Sequence, residues 1–184
     1  MSTILRLPLL PLLVLTATVC HAQDAPSSNA RQMQELSWIV GDWSADLLAE
    51  KAIPGVVEKG DKLRLDMSCA WGLGQNVIAV TWDVKAGKTV LITHKGMIGW
   101  DAGKKQAVSF GFDSTGKYAI SAWSNEDGTW SLKGYESKPG EGAGSRMRKI
   151  SEIQSDQFTF QTVHSVEAGN SETPQPKIIF QRVK

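Results

Sequence analysis

Cysteine is scarce in this chain, since its 184 residues contain only Cys20 and Cys69. Cys20 lies near the end of an N-terminal segment that we expect to be cleaved, so Cys69 alone would remain in the mature protein. A single cysteine cannot form an internal disulfide, even in a compartment that would permit one. The fold must therefore be held together by packing.

Neither sign of charge is in excess. The chain has 20 basic and 19 acidic side chains, and Arg6 is the only charged residue within residues 1–22. Balanced charge argues against a nucleic-acid surface and against strong electrostatic attraction to a membrane. The one local basic cluster is Arg146, Arg148 and Lys149, in which strand alternation puts the two arginines on one face. We interpret that face as solvated.

The sequence also lacks an apolar run long enough to span a membrane as a helix, which needs about 20 residues. Its longest apolar stretch, Leu7 to Val19, is interrupted by Pro8 and Pro11 and follows a basic residue. Residues 1–22 are typical of a secretory signal peptide that is cleaved after Ala22. The chain is therefore predicted to be periplasmic or secreted.

The cysteine near this cleavage site leaves a second interpretation open. Acylation of Cys20, as in a bacterial lipoprotein, is the alternative, although Val19 is bulkier than the residue that usually precedes such a cysteine. Residues 23–29 are polar and are interpreted as a linker. The remaining residues, 30–184, have the length of a single domain.

Helical periodicity is confined to one short stretch, in which Met33, Leu36 and Val40 recur at helical spacing before Gly41. No later interval suits a crossover helix between parallel strands. Apolar and polar residues instead alternate, most clearly over Lys62 to Trp71, and turns that combine Asp or Asn with glycine recur. The pattern predicts an all-β protein, an antiparallel up-and-down meander of about 8–10 strands.

A sheet of this size leaves two edges that can pair with other chains unless it closes on itself. Closure requires the first and last strands to meet, and Trp43 in the first strand pattern has a natural partner in Arg182 in the last. A guanidinium stacked on an indole contributes about 0.5–2 kcal/mol. We therefore predict a closed barrel with a short N-terminal helix and room inside for a small ligand.

Several motifs carry a resemblance to known proteins. They are Gly41-Asp42-Trp43 with Arg182 in the last strand, Ile98-Gly99-Trp100-Asp101, and Phe112 to Gly116 with Trp123. The first is similar to the pattern of the calycin superfamily, whose lipocalin- and nitrobindin-like barrels pack a terminal arginine across a tryptophan at the closed end. This resemblance implies that Trp43 and Arg182 close the barrel. Over residues 36–184 the chain resembles uncharacterised exported bacterial β-domains, which implies export without a particular activity.

The inward phase of the predicted strands mixes apolar with polar residues. Buried polar groups need partners, and a dry core seldom contains so many. A ligand pocket accounts for them. The alternative is that the assignment of inward and outward residues is locally wrong, or that the backbone and trapped water form hydrogen bonds with each polar group. The residues expected to line the pocket are Met67, Cys69, Trp82, His94, Phe110, Tyr118, Phe160 and His164.

Sequence signatures of catalysis and metal binding are missing. Zinc needs three or four ligands, and no His-x-His or Cys-x-x-Cys spacing supplies them; a Gly-x-Ser-x-Gly motif and a phosphate loop are also absent. We therefore predict no catalytic residue, no metal ligand and no cofactor. Two alternatives use His94 or His164: axial ligation of a haem iron, or a general base in an isomerase or hydrolase.

The leading hypothesis is a non-catalytic, exported binding protein that holds a small apolar or amphipathic ligand inside the barrel. The alternative is a carbohydrate- or envelope-binding module that uses exposed tryptophans. Trp123 is the best candidate for an outward position, because it alternates away from Tyr118 and Ile120. The oligomeric state is left open.

Overall fold

The computed structural model describes residues 28–138, 140, 142–167, 170–172 and 174–184. The predicted signal peptide, its cleavage after Ala22 and the alternative lipid site at Cys20 lie outside these residues. Helix α1 spans Ser28–Met33 and continues directly as a 3₁₀ helix over Gln34–Ile39. The helical segment thus begins inside the predicted linker. No helix in the described part of the chain is long and apolar enough to cross a membrane.

The rest of the described chain forms antiparallel strands in up-and-down order. They are β1 Gly41–Leu48, β2 Lys62–Gly72, β3 Val77–Ala86, β4 Thr89–Asp101, β5 Gln106–Asp113, β6 Tyr118–Glu126, β7 Thr129–Lys138, β8 Gly142–Ser151, β9 Gln157–Glu167, β10 Asn170–Glu172 and β11 Ile178–Arg182. Strands β1 to β9 pair in sequence, and β11 lies between β9 and β1. Ten strands therefore close into a barrel, while the short β10 pairs with the end of β9. The predicted barrel is confirmed.

The seam between the first and last strands is organised around an indole and a guanidinium. Trp43 pairs with Arg182 in the ladder, and Cζ of the arginine lies 4.1 Å from the centre of the indole. Trp43 is fully buried, and its Nε1 donates a hydrogen bond of 2.7 Å to the carbonyl oxygen of Ile39. The same tryptophan therefore joins the seam to the 3₁₀ helix.

The helical segment fills one end of the barrel, which we call the closed end. Met33, Leu36 and Ile39 turn their side chains into the barrel and are buried. They join a continuous core with inward residues from strand ends on every side: Trp43, Cys69, Ile78, Ile98, Ala107, Trp123, Trp130, Ile150, Phe158 and Phe180. Because this core occupies the closed end, any interior space must lie towards the other end, here called the open end.

Candidate ligand-binding cavity

A cavity of about 350 Å³ lies inside the barrel between the core and the open end. Four of the residues expected to line a pocket have side chains that point into this cavity. They are Met67, Trp82, His94 and Phe160, which belong to strands β2, β3, β4 and β9. Their position follows from the alternation of these strands, which the sequence shows clearly.

Strands β5 and β6 face the opposite way from the prediction. Trp123 pairs with Ala107 and is buried, and its Nε1 donates a hydrogen bond of 2.9 Å to Oγ of Ser109 inside the barrel. Phe110 and Tyr118 alternate with these inward residues, so their side chains lie on the outer surface and they border the cavity through their backbone. The predicted inward phase of Phe110 and Tyr118 and the predicted outward phase of Trp123 are wrong.

The outer face of this region carries a continuous apolar row. Met97, Phe110, Ile120 and Tyr135 are consecutive partners across β4, β5, β6 and β7. Tyr118 lies next to the row, with its ring centre 5.9 Å from that of Tyr135. A hydrogen bond with Tyr118 raises the pKa of the Tyr135 phenol. Apart from Trp123, the larger apolar residues of β5 and β6 thus pack on the surface, and small inward residues leave space inside.

His164 also points away from the cavity. Arg148 pairs with Thr162 and Met147 pairs with His164, so Val163 is an extra residue that shifts the register of β9. Such a bulge reverses the face on which the following side chains lie. His164 is consequently exposed, and its predicted inward orientation is wrong.

Cys69 lies inside the barrel but outside the cavity. Its side chain belongs to the core at the closed end and is buried. Burial, together with the nearby carboxylate of Asp42, raises the pKa of the Cys69 thiol to about 12. A protonated, enclosed thiol is a packing group rather than a nucleophile. Cys69 is therefore not among the residues that line this cavity.

His94 is held flat against the wall of the cavity. Its ring stacks on Trp82 with the ring centres 4.8 Å apart and the planes 6° from parallel. Its Nε2 would lie 3.0 Å from a Cβ built on Gly96, so this nitrogen lies close to the backbone of the wall. Burial lowers the pKa of His94, against the opposing charge of Asp113, and the imidazole is accordingly neutral near pH 7.

This geometry does not present Nε2 of His94 to a haem iron. An axial histidine must direct a ring nitrogen at the iron, whereas His94 lies flat on an indole with Nε2 against the wall, and His164 is exposed outside the barrel. Among the described residues, no group of three or more His, Cys, Asp or Glu side chains could hold a metal ion.

A buried ionic cluster in the cavity wall was missed by the sequence reasoning. Oε2 of Glu136 forms an ion pair with Arg146, 2.9 Å from Nε, and lies 3.5 Å from Nζ of Lys117. Oε1 of Glu136 contacts Nη2 of Arg148. The side chains of Glu136 and the two arginines are 15% exposed or less. The interpretation of the Arg146 and Arg148 face as solvated is therefore wrong.

A signal for this cluster is present in the sequence. Glu136 shares the phase of Trp130 and Leu132 in β7, and Arg148 shares the phase of Ile150 in β8. A carboxylate and an arginine on the apolar faces of adjacent strands can neutralise each other inside a protein. Burial also lowers the pKa of the Arg148 guanidinium, to about 10.

The comparisons with known proteins identify a fold. No family model matches the chain, and neither does any curated protein. Among solved structures, the crystal structure of Rv2717c from M. tuberculosis is similar, with a TM-score of 0.57 at 13% sequence identity. The alignment covers 83% of this chain and 98% of that one. At this identity the likeness shows a common fold alone, and the calycin assignment stays a prediction.

Proposed function

We propose that this protein is an exported, non-catalytic binding protein that holds a small apolar or amphipathic molecule inside its barrel. The cavity of about 350 Å³ is the observation that carries the proposal. Small-molecule sites are typically concave, mostly apolar, and supplied with a few polar groups that orient the ligand. Apolar side chains and one buried ionic cluster provide this combination here.

The surroundings of the reactive side chains favour binding over catalysis. The thiol of Cys69 is protonated and enclosed in the core. The imidazole of His94 is stacked on Trp82 with Nε2 close to the backbone. A general base must reach the proton that it removes, and neither group is presented in that way.

The alternative is a surface module that binds through exposed tryptophans. It loses support because its best candidate, Trp123, is buried. None of the seven tryptophans, all of which the structure describes, is more than partly exposed. Stacking on sugar rings needs an accessible indole face. Binding inside the barrel is therefore the function that the geometry supports best.

Mass spectrometry of material extracted from the natively purified protein tests this function. We expect a retained small molecule, and we expect Val80→Phe to reduce its amount, since Val80 lines the cavity. Ala79→Phe is the matched control, because the neighbouring residue points outward. Equal retention by both variants, or an empty wild-type protein that takes up no added amphipath, would contradict the proposal.

Export is tested separately by cell fractionation and N-terminal sequencing of the full-length chain expressed in a Gram-negative host. We expect mature protein outside the cytoplasm beginning at Gln23. An intact N-terminus on cytoplasmic protein would overturn export without affecting ligand binding. Detection of a lipid on Cys20 would show that the chain is a lipoprotein and that it is not cleaved after Ala22.

A further inference from the structure

Strands β4 to β7 carry three rows of outward residues that together form a surface, which we call the outer apolar face. The middle row is Met97, Phe110, Ile120 and Tyr135. The row towards the open end is Lys95, Phe112, Tyr118 and Ser137, and the row towards the closed end is Gly99, Val108, Ala122 and Lys133. The larger apolar side chains are 39–59% exposed at Met97, Phe110, Phe112, Ile120 and Tyr135.

These side chains form a continuous surface. The ring centre of Tyr118 lies 5.9 Å from that of Phe112 and 5.9 Å from that of Tyr135. Phe110 and Ile120 are direct partners in the middle row. Single exposed apolar residues are common on protein surfaces, whereas a contiguous patch is typical of a surface that binds a protein or a membrane.

The charge of this face has one sign. Lys95 and Lys133 stand at diagonally opposite corners and are exposed, and none of the twelve residues in the three rows is acidic. Acidic residues follow only beyond the closed-end border, where Asp101 ends β4 and Glu126 ends β6. Lysines near an anionic lipid surface are attracted to it. An apolar face with cations at its edges therefore complements anionic lipid.

A second copy of the chain fits this face less well. A stable protein interface takes about 20–30 residues from each partner, and the three rows provide twelve. The face also lies on the convex outer wall of a barrel, and two convex walls touch along a narrow strip. Lipid molecules can instead move apart around a convex surface, so each exposed ring can reach hydrocarbon.

We propose that the outer apolar face docks on an anionic lipid surface, with Phe110 and Phe112 inserted below the head groups and Lys95 and Lys133 beside the lipid phosphates. Tyrosine favours the boundary between water and lipid, and two tyrosines belong to the face. The chain as a whole is nearly neutral, so apolar insertion must supply most of the affinity. This docking goes beyond the proposed function and needs no ligand inside the barrel.

Co-sedimentation with vesicles tests the inference. The mature protein is mixed with vesicles of phosphatidylcholine alone or with vesicles of equal parts phosphatidylcholine and phosphatidylglycerol. We expect binding to the anionic vesicles to be at least about fivefold tighter, since each lysine near an anionic surface contributes about 1 kcal/mol. Added salt should reduce this preference, because it screens exposed charges.

Variants of the aromatic side chains locate the docking surface. The double variant Phe110→Thr, Phe112→Thr should weaken binding to the anionic vesicles at least about tenfold, because two large apolar side chains no longer enter the lipid. Threonine retains a preference for strands. The control is Ile179→Thr, Val183→Thr, which removes two exposed apolar side chains outside this face. It should leave binding unchanged.

Variants of the lysines test the charged contact. Lys95→Gln, Lys133→Gln should remove most of the preference for anionic vesicles, and Lys62→Gln, an exposed lysine on β2, should not. If the phenylalanine variant does not fold, this comparison decides, because both corner lysines are exposed. A lipid on Cys20 would raise the binding of every variant equally, so differences between variants carry the result.

Several outcomes would overturn the inference. They are an absence of vesicle binding, equal binding to both kinds of vesicle, and an equal loss in the phenylalanine variant and its control. Sedimentation velocity covers the competing occupant. A dimer that the phenylalanine variant dissociates, without vesicle binding, would assign the face to a second copy of the chain. None of these results depends on what the cavity retains, so the proposed function is tested independently.

Discussion

Arg182 joins several parts of the fold through one side chain. Its Nε donates to the carbonyl oxygen of Ser155 at 2.7 Å, and its two terminal nitrogens donate to those of Val40 and Trp38 at 2.8 and 3.0 Å. Its guanidinium also covers the Trp43 indole. Hydrogen bonds from a charged donor contribute more than neutral ones, about 1.5–3 kcal/mol each. The close packing around Arg182 restricts what its neighbours can be.

Gly41 is one such neighbour, and its replacement gives a first prediction. Its φ is +131°, and a Cβ there would lie 3.4 Å from Cζ of Arg182 and closer still to Nη1. Gly41→Ala should therefore lower the free energy of unfolding by at least about 3 kcal/mol, since it combines backbone strain with overpacking. Urea denaturation measures this change.

Gly87→Ala is the control, because Gly87 also has positive φ but no atom lies within 4 Å of the position that an added methyl group would take. Its cost should be about 1 kcal/mol, the strain of the left-handed backbone alone. Equal costs at the two glycines would show that the contact with Arg182 does not restrict position 41.

His94 provides a prediction about pH. Burial, with Lys117 and Arg148 acting in the same direction, holds the pKa of its imidazole below the ordinary value of 6.5. The unfolded chain therefore binds a proton before the folded protein does, so stability is lost as pH falls below about 6.5. His94→Gln should flatten this part of the pH dependence.

Urea denaturation between about pH 8 and pH 5 measures the effect on stability. His164→Gln is the control, since it removes a histidine whose side chain is exposed. An unchanged slope in the His94 variant would show that this imidazole does not couple pH to folding.

At the scale of elements, alternation alone does not say which face of a strand points inward. In β5 and β6 the larger apolar residues other than Trp123, such as Phe110, lie outside, and small residues, such as Ala107 and Ser109, lie inside next to the indole of Trp123. Space inside a small barrel is limited, so a large side chain from one strand requires small ones from its neighbours. Assigning the more apolar phase to the interior therefore failed here.

This reversal predicts unequal costs for two phenylalanine replacements. Phe110 is 47% exposed, whereas Phe158 is 2% exposed and packs against Trp43 and Phe180. Phe110→Ala should lower the free energy of unfolding by less than about 1.5 kcal/mol, and Phe158→Ala by about 3–5 kcal/mol. Phe110→Ala should also leave ligand affinity unchanged.

Chemical denaturation and ligand titration of both variants check these expectations. A cost for Phe110→Ala as large as that for Phe158→Ala would show that Phe110 belongs to the core. The same kind of register effect explains His164, whose side chain one extra residue, Val163, turns to the other face of β9.

For the whole molecule, the seam between β1 and β11 is the place where the fewest residue pairs join neighbouring strands of the barrel. Two residue pairs join β1 to β11, Trp43 with Arg182 and Ser44 with Gln181, whereas β3 and β4 are paired along nearly their full length. Segments with fewer cooperative hydrogen bonds open at a lower free energy than the globally protected core. The amides of β11 should therefore exchange faster than those of β3 and β4.

Native-state hydrogen exchange measures this difference. Arg182→Lys should increase exchange in β11 further, because lysine cannot bond three carbonyls and cover the indole at once. Arg64→Lys is the control on the exposed outer surface of β2. Uniform exchange across the sheet would mean that the barrel opens in one global step.

The sequence by itself determined the short helix, the antiparallel meander and the contact of its two ends through Trp43 and Arg182. These depend on local periodicity, turn residues and one distinctive pair, all of which are legible along the chain. Only the tertiary structure decided which phase of β5 and β6 faces inward, where His164 points, and that Arg146 and Arg148 meet Glu136 inside the barrel. Those outcomes depend on how the volumes and charges of side chains from several strands fit together, which the pattern of a single strand does not show.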